Sequence, residues 1–519
     1  MSSPSSKSPS SQASTVIESA IPSNEKINND PPPLPSTTDD NSDPWLVSFA
    51  PDDPLNPLSW PRWKRWYITI AGGILVLNAT FASAAPSNLL PQMMDQFGFS
   101  EEVATLTVSL FIAGYCLGPL VWGPLSEDIG RRPVFLISFL FYTGFQVGCA
   151  LSQNTASILV FRFLAGTFAA APLTNSGGVV GDIWDAKTRG KAMLLFAVSP
   201  FAGPALGPVV AGWIAVGGAS WRWVFWVLTM FAGFCLALVL FTLPETYKPV
   251  LLAKKARQIR KETGEDRYYA PSEINRPTIG RRLNTILAMP FKILFLEPML
   301  MAIAVYQSFL YGCIYLLFEA YPIVFTKGHN LNPGVSGLMF LPISIGGGVG
   351  VIVYLMFYNA RYNRYIEQYA PAKVPPEARL EATLLGAPLF AISFFWFGWT
   401  SYPSISLWSP LLAGGLMGFS IFLIFLSLIN YTVDAYLFAS ASALAASTVS
   451  RSIFGTVFPL FARQMFDALN PRWASTLLGL VAAIMIPIPV VLLRHGAYLR
   501  SKSRFAPSVT PAKPQDSDV

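Results

Sequence analysis

Twelve runs of apolar sequence, each close to the roughly 20 residues that cross a bilayer as a helix, constrain this chain more than any other feature. They lie at about 67–90, 103–123, 133–152, 156–178, 192–215, 221–243, 298–322, 335–357, 383–401, 407–429, 435–460 and 473–494. The runs are continuous rather than alternating, which argues for helices and against a transmembrane barrel. Charge agrees: 13% of residues are charged and 52% are hydrophobic, against about 25% charged in a soluble domain. The expected class is an all-α, polytopic membrane protein of twelve transmembrane helices in two six-helix halves.

The basic residues orient these runs. With the N-terminus in the cytoplasm, 30 of the 36 Lys and Arg fall on the cytoplasmic side, and Arg222, Lys327, Arg463 and Arg472 fall outside. Arg162 and Arg451 lie within spans. The split follows the positive-inside rule with both termini inside. It accounts for the net charge of +7 without nucleic acid.

The expected organisation is a tail over 1–56, a six-helix half over 57–243, a cytoplasmic loop over 244–296, a second half over 297–494 and a tail over 495–519. Residues 1–44 hold 12 Ser and 8 Pro, a composition that buries no core, so disorder is expected. No apolar stretch near the start suits a signal peptide. Cys116, Cys149, Cys235 and Cys313 sit in apolar runs without a C-x-x-C pair and read as small buried hydrophobes. Two distant histidines, His329 and His495, make no metal set. A phosphate-cradling G-x-x-x-x-G-K-[ST] loop is missing and no catalytic constellation is visible, so neither a nucleotide-driven pump nor an enzyme is expected. No cofactor or metal is called for. Asn78-Ala79-Thr80 and Asn430-Tyr431-Thr432 have the sequon pattern, but at places this topology keeps from glycosylation.

Three local motifs carry chemistry. Between spans two and three runs Gly123-Pro124-Leu125-Ser126-Glu127-Asp128-Ile129-Gly130-Arg131-Arg132-Pro133. A short turn with acids, bases and a reversing glycine can lock helix ends by ion pairs. Span four holds Ile158-Leu159-Val160-Phe161-Arg162-Phe163-Leu164-Ala165-Gly166. An arginine inside a span is costly unless paired or solvated, and marks a functional position. Span five holds Gly203-Pro204-Ala205-Leu206-Gly207-Pro208, with Gly203 and Gly207 on one close-packing face and the two prolines allowing a bend.

These stretches resemble the signature loop, the span-four motif and the span-five motif of the major facilitator superfamily. The loop departs from the pattern at Glu127, where Asp is usual, and at Asp128, where a base is usual. In span four Ala165 replaces a polar residue, so Arg162 and Gly166 alone are carried over. Asp182-Ile183-Trp184, Lys187-Thr188-Arg189-Gly190, Pro244-Glu245-Thr246-Tyr247, Phe318-Glu319-Ala320-Tyr321-Pro322-Ile323-Val324-Phe325, Asn332-Pro333-Gly334-Val335, Arg451-Ser452 and Phe458-Pro459-Leu460-Phe461 add to the likeness. Together they resemble the fungal twelve-span drug:proton antiporters. The likeness covers about 57–505.

The resemblance implies a plasma-membrane exporter of drugs or other toxic organic compounds, working by alternating access against protons and monomeric by default. Polyamine or secondary-metabolite export and nutrient:proton symport are the alternatives on the same fold; a transporter-like sensor is one of another class. Its expected partners are a small molecule, protons and the lipid bilayer. Glu319 is the expected proton carrier, since an apolar surrounding favours the protonated carboxyl. The resemblance assigns Arg162 to coupling, and Asp434 is the next acidic candidate. Gln307, Tyr311, Tyr315 and Glu319 recur every four residues on one face. With Asn78, Asn88, Gln92 and Gln146, and with Tyr306, this face supplies the expected cavity. Asp182 is expected to meet Arg131 or Arg132 at the gate.

Overall fold

A computed structural model describes residues 43–50, 53–274, 279–370 and 374–506. Of the tail over 1–56, expected to be disordered, residues 1–42 and 51–52 lie outside them, while 43–50 and 53–56 are ordered against the rest of the chain. Apolar side chains with no intrahelical competitor for the backbone form long helices here, because a helix alone satisfies every buried N–H and C=O within one segment. Spans one to six are Arg62–Ala84, Glu101–Ile129, Arg131–Leu151, Thr155–Ile183, Ala186–Val216 and Arg222–Thr242. Span seven is Pro298–Tyr321. Span eight combines Pro333–Leu338 with Leu341–Val353 and continues to Tyr369. Spans nine and ten are Glu381–Thr400 and Trp408–Tyr436.

Among the described residues eleven helical runs are long and apolar enough to cross a membrane, and the last covers Ser440–Ser501. At 1.5 Å per residue those 62 residues make about 90 Å, three bilayer cores. Asn470, at φ 59° and ψ 158°, divides the run just before Pro471. It therefore supplies spans eleven and twelve, and the expected twelve crossings are present.

Packing repeats with an offset of six. Span one packs on five, two on four, and three on four and six; seven packs on eleven, eight on ten, and nine on ten. Gly398 of span nine faces Arg472 and Ser475, which completes the pattern with nine on twelve. The halves meet through spans two and eleven and through five and eight. Outward-facing Phe241, Trp408 and Ile484 are exposed and apolar, as a lipid-facing surface requires.

The polar stretch between the halves is not featureless. It contains helices Lys248–Thr263, Pro271–Ile274 and Ile279–Leu296. The chain before span one returns to it: Val47 N–H donates to Tyr269 O at 2.9 Å and Tyr269 N–H to Trp45 O at 3.0 Å. Val47, Ala256 and Ala270 form a small buried cluster. Lys255 donates to Asp53 Oδ2 at 2.5 Å beside it.

Candidate functional site

A cavity of about 330 Å³ lies between the halves. Spans one, two, four and five contribute Thr80, Tyr115, Leu173 and Phe201. Spans seven, eight, ten and eleven contribute Tyr315, Phe340, Phe422 and Arg451. Aromatic and aliphatic groups dominate the lining, and Arg451 is its single charged residue among the described ones.

The helices deliver these side chains for identifiable reasons. Gly203 and Gly207 bring span five against span one: a Cβ at Gly207 would stand 2.9 Å from Ala85 N and 3.0 Å from Phe81 O. Pro204, one position on from Gly203, then turns toward the cavity. The carbonyl of Pro208 accepts from Asn88 Nδ2 at 2.9 Å. Phe201 meets Phe422 and Phe425 of span ten at ring distances of 5.6 and 6.3 Å, so the halves touch at mid-depth.

One end of the cavity is sealed. Gly212 lies against Pro333, and Gly337 against Pro208, joining spans five and eight backbone to backbone. The Asn332 side chain caps span eight by accepting from Val335 N–H at 2.8 Å, with Pro333 in the first helical turn. Across spans two and eleven, Arg463 pairs with Glu101, and Gln464 donates to Glu102 at 3.3 Å. Inside the seal Phe340 stacks on Phe318 at 5.1 Å and meets the tilted ring of Tyr321 at 4.5 Å.

The opposite end carries ion pairs that each stay within one half. Arg131 donates to Asp182 Oδ2 at 3.2 Å and lies over the Tyr247 ring at 4.8 Å. The backbone N–H groups of Arg131 and Arg132 donate to Glu245 at 2.9 and 3.1 Å, so Glu245 caps span three. Gly130, at φ 102°, leaves the space that the Glu245 carboxylate fills. The Arg132 guanidinium donates to Leu240 O at 2.8 Å. Gly123 lies in ordinary contact with Thr174, while Glu127 and Asp128 are exposed. In the second half Arg379 donates to Asp434 at 2.8 Å, and Arg500 pairs with Glu377 at 2.9 Å. Asp434 also accepts from Tyr362 at 3.3 Å. Asp182 thus meets Arg131, one of its two expected partners.

Of the eight cavity residues expected besides Glu319, Tyr311 and Tyr315 line this space, and Gln92 and Tyr306 lie outside the lining. Asn78, Gln146 and Gln307 are buried in helix packing outside the lining, and Asn88 belongs to the seal. A four-residue repeat drifts about 40° per step, and the stripe leaves the cavity at both ends. Glu319 therefore sits buried outside the lining, 6% exposed, with Oε1 unpartnered among the described residues.

Arg162 is also buried outside the lining. It donates to Thr107 O at 2.6 Å, Ala82 O at 3.0 Å and Ser83 O at 3.4 Å, and lies 4.2 Å from the Phe111 ring centroid. Gly166 presses on the Phe111 backbone one turn further on. The guanidinium therefore joins spans four, two and one. Sequence reasoning passed over Arg451 and Glu245 as site residues. Intramembrane charge is the signal for the first, and a helix N-terminus with no capping side chain of its own is the signal for the second.

The Major Facilitator Superfamily model matches residues 71–459. This chain belongs to that superfamily of membrane transporters. It is 38% identical over 465 residues to the efflux pump FUBT of Fusarium oxysporum, covering 89% of this chain and 78% of that one. It is 40% identical over 466 residues to the major facilitator superfamily multidrug transporter mdrA of Aspergillus fumigatus, covering 89% and 76%. It is 39% identical over 468 residues to the citrinin biosynthesis cluster MFS transporter mrr1 of Monascus ruber, covering 90% and 93%. The fold is that of the xylose transporter XylE from E. coli in a partially occluded inward open conformation. That match has a TM-score of 0.57 at 17% identity and covers 83% of this chain and 98% of that one.

Proposed function

We propose that this transporter exports small apolar organic compounds across the plasma membrane by alternating access, driven by protons moving inward. The observation that carries the reading is the asymmetry of the interface between halves. Contacts between halves seal the end at Asn88 and Arg463, while the ion pairs described at the Arg131 end each remain within one half. A central cavity reached from one end, between halves that repeat each other, is what rocking transport requires. Relatives named as an efflux pump, a multidrug transporter and a citrinin-cluster transporter support export as the direction.

In this reading the compound enters from the cytoplasm and the halves rock. Protonation of Glu319 from the outside face then favours release. Arg162 positions Ser83 beside the cavity. Asp182 and Asp434 hold the cytoplasmic helix ends. Both termini lie in the cytoplasm and one chain suffices.

The test uses inverted plasma-membrane vesicles carrying the chain, with an acidic lumen imposed. Antiport accumulates substrate in the lumen, and a protonophore abolishes that. Substrate leaving the lumen along with the protons would replace export by symport.

A further inference from the structure

We propose that the compound taken by this cavity is an apolar organic anion, and that Arg451 receives its carboxylate. The assignment deepens the export reading and rests on it in one respect: the central cavity is taken as the substrate site.

Among the described residues Arg451 is the single charged one in the lining. No carboxylate lines the cavity, and no ion pair or hydrogen bond holds the guanidinium among the described residues. The Tyr311 ring lies 5.6 Å from the guanidinium carbon, and Tyr315 lines the same cavity. Contrast Arg162, the other arginine inside the bundle, which donates to three carbonyls. The bundle therefore contains one guanidinium bound to the backbone of its neighbours and one that presents its donors to a cavity.

Around Arg451 the lining suits a flat apolar body. Phe201, Phe318, Phe340, Phe422 and Phe425 supply aromatic faces. A cavity of about 330 Å³ is at the lower end of the range that holds small organic ligands. Guanidinium and carboxylate pair through two parallel charge-assisted hydrogen bonds, a geometry few other groups match.

Alternating access adds an energetic reason. While one end is open, water solvates Arg451. When both ends close, the cation is left in an apolar enclosure, and an uncompensated buried charge opposes that state strongly. An anion brought in by the substrate removes the opposition. A cation adds a second positive charge and is rejected. The charge of the cargo thereby helps license closure.

The experiment measures equilibrium dialysis of three probes against the purified full chain in phosphatidylcholine nanodiscs, corrected for empty discs. The probes are 1-naphthaleneacetate, 1-naphthaleneacetamide and 2-(1-naphthyl)ethylamine, which share one ring system and differ in charge. The acid is expected to bind about tenfold more tightly than the amide, the scale of a charge-assisted hydrogen-bonded pair, and the amine most weakly. Arg451→Gln should bring the acid-to-amide ratio to near one, and Arg451→Lys should keep most of it. A wild-type protein that binds the acid no better than the amide or amine overturns the proposal. So does a preference that survives Arg451→Gln. Should Arg451→Gln aggregate, the wild-type series and Arg451→Lys decide the matter. Proton-driven efflux of the same probes is measured in parallel. Efflux without charge preference removes the anion assignment alone, whereas preference without efflux removes the export reading alone.

Discussion

Tyr315 Oη lies 2.9 Å from Ser83 Oγ, a buried hydrogen bond between span seven of one half and span one of the other. Tyr311 Oη continues the chain at 3.4 Å from Tyr315 Oη. On the far side, the Ser83 carbonyl accepts from Arg162. Arg162 is thus connected to the cavity wall through a single residue.

Breaking that bond shifts the balance of conformations. Both partners belong to the arrangement sealed at Arg463 and Glu101. A neutral buried hydrogen bond contributes about 1 kcal/mol net, so Tyr315→Phe should depopulate this arrangement by about fivefold. Alkylation of a cysteine introduced as Thr174→Cys, on the cavity wall, reads the shift: labelling from the Arg131 side should slow. Unchanged labelling would mean the bond is absent from the transport cycle.

Arg162 acts through its shape as well as its charge. Three carbonyls from spans one and two converge on one planar fork. A lysine ammonium reaches one or two of them from a different direction. Arg162→Lys should therefore transport at under about a tenth of the wild-type rate, and Arg162→Ala should also lower the thermal midpoint. The scale follows from leaving buried acceptors unmet, about 1–3 kcal/mol each. Full transport by Arg162→Lys would show that charge alone matters at this site.

How far the sequence reaches can be judged from such residues. Twelve apolar runs and the charge split fix the class, because in a membrane the backbone accepts few alternatives. Arg162 is legible because intramembrane charge is rare, and Gly203 and Gly207 because close helix approach needs small residues. The seal is not legible. Asn88, Pro208 and Pro333 are far apart in the chain, and only packing brings them together. The cavity wall is half legible: Tyr311 and Tyr315 follow from periodicity, whereas Phe201 and Phe422 come from different halves whose register no local pattern encodes.

Glycines at two contacts give sharp tests. At Gly130 a side chain would displace the Glu245 carboxylate that caps span three and would adopt a left-handed backbone. Gly130→Ala should cost about 1–2 kcal/mol from strain and cap loss together and lower the melting temperature in detergent. At Gly207, leucine would meet Ala85 N and Phe81 O, prising span five from span one. Gly207→Leu should block cycling at matched surface expression. Wild-type export by that variant would show that the contact opens without consequence.

The segment before span one is tied to the helical linker by charge as well as by backbone. Lys255, hydrogen-bonding its carboxylate, holds Asp53 below the usual carboxylate range, with help from Leu55 N–H. The hydrogen bond from Arg260 holds Glu273 down in the same way. Both shifts are downward, so their contribution is complete above the unfolded carboxylate values, about 4, and is lost as pH falls through the lower folded values. Hydrogen exchange at Val47 N–H should therefore show constant protection from pH 8 to pH 5, after correction for intrinsic rates. Protection should weaken only below about pH 4. Lys255→Gln should weaken it at neutral pH. A loss of protection between pH 8 and 5 would point to a different titrating group.

In the reading proposed above coupling falls to Glu319, a buried carboxyl with one oxygen unpartnered among the described residues. An ionised carboxylate in such a place is costly, and protonation or a partner relieves it. A change of partner between conformations therefore changes its affinity for protons, which is the requirement for a carrier. Asp182 and Asp434 differ, since arginines hold both at the bundle end. Glu319→Gln keeps size and hydrogen-bonding groups but cannot titrate. In vesicles, efflux driven by an imposed pH gradient should fall to background, while exchange of labelled for unlabelled substrate continues. If pH-driven efflux persists undiminished, Glu319 leaves the mechanism. If exchange stops as well, its role is in packing span seven rather than in carrying the proton.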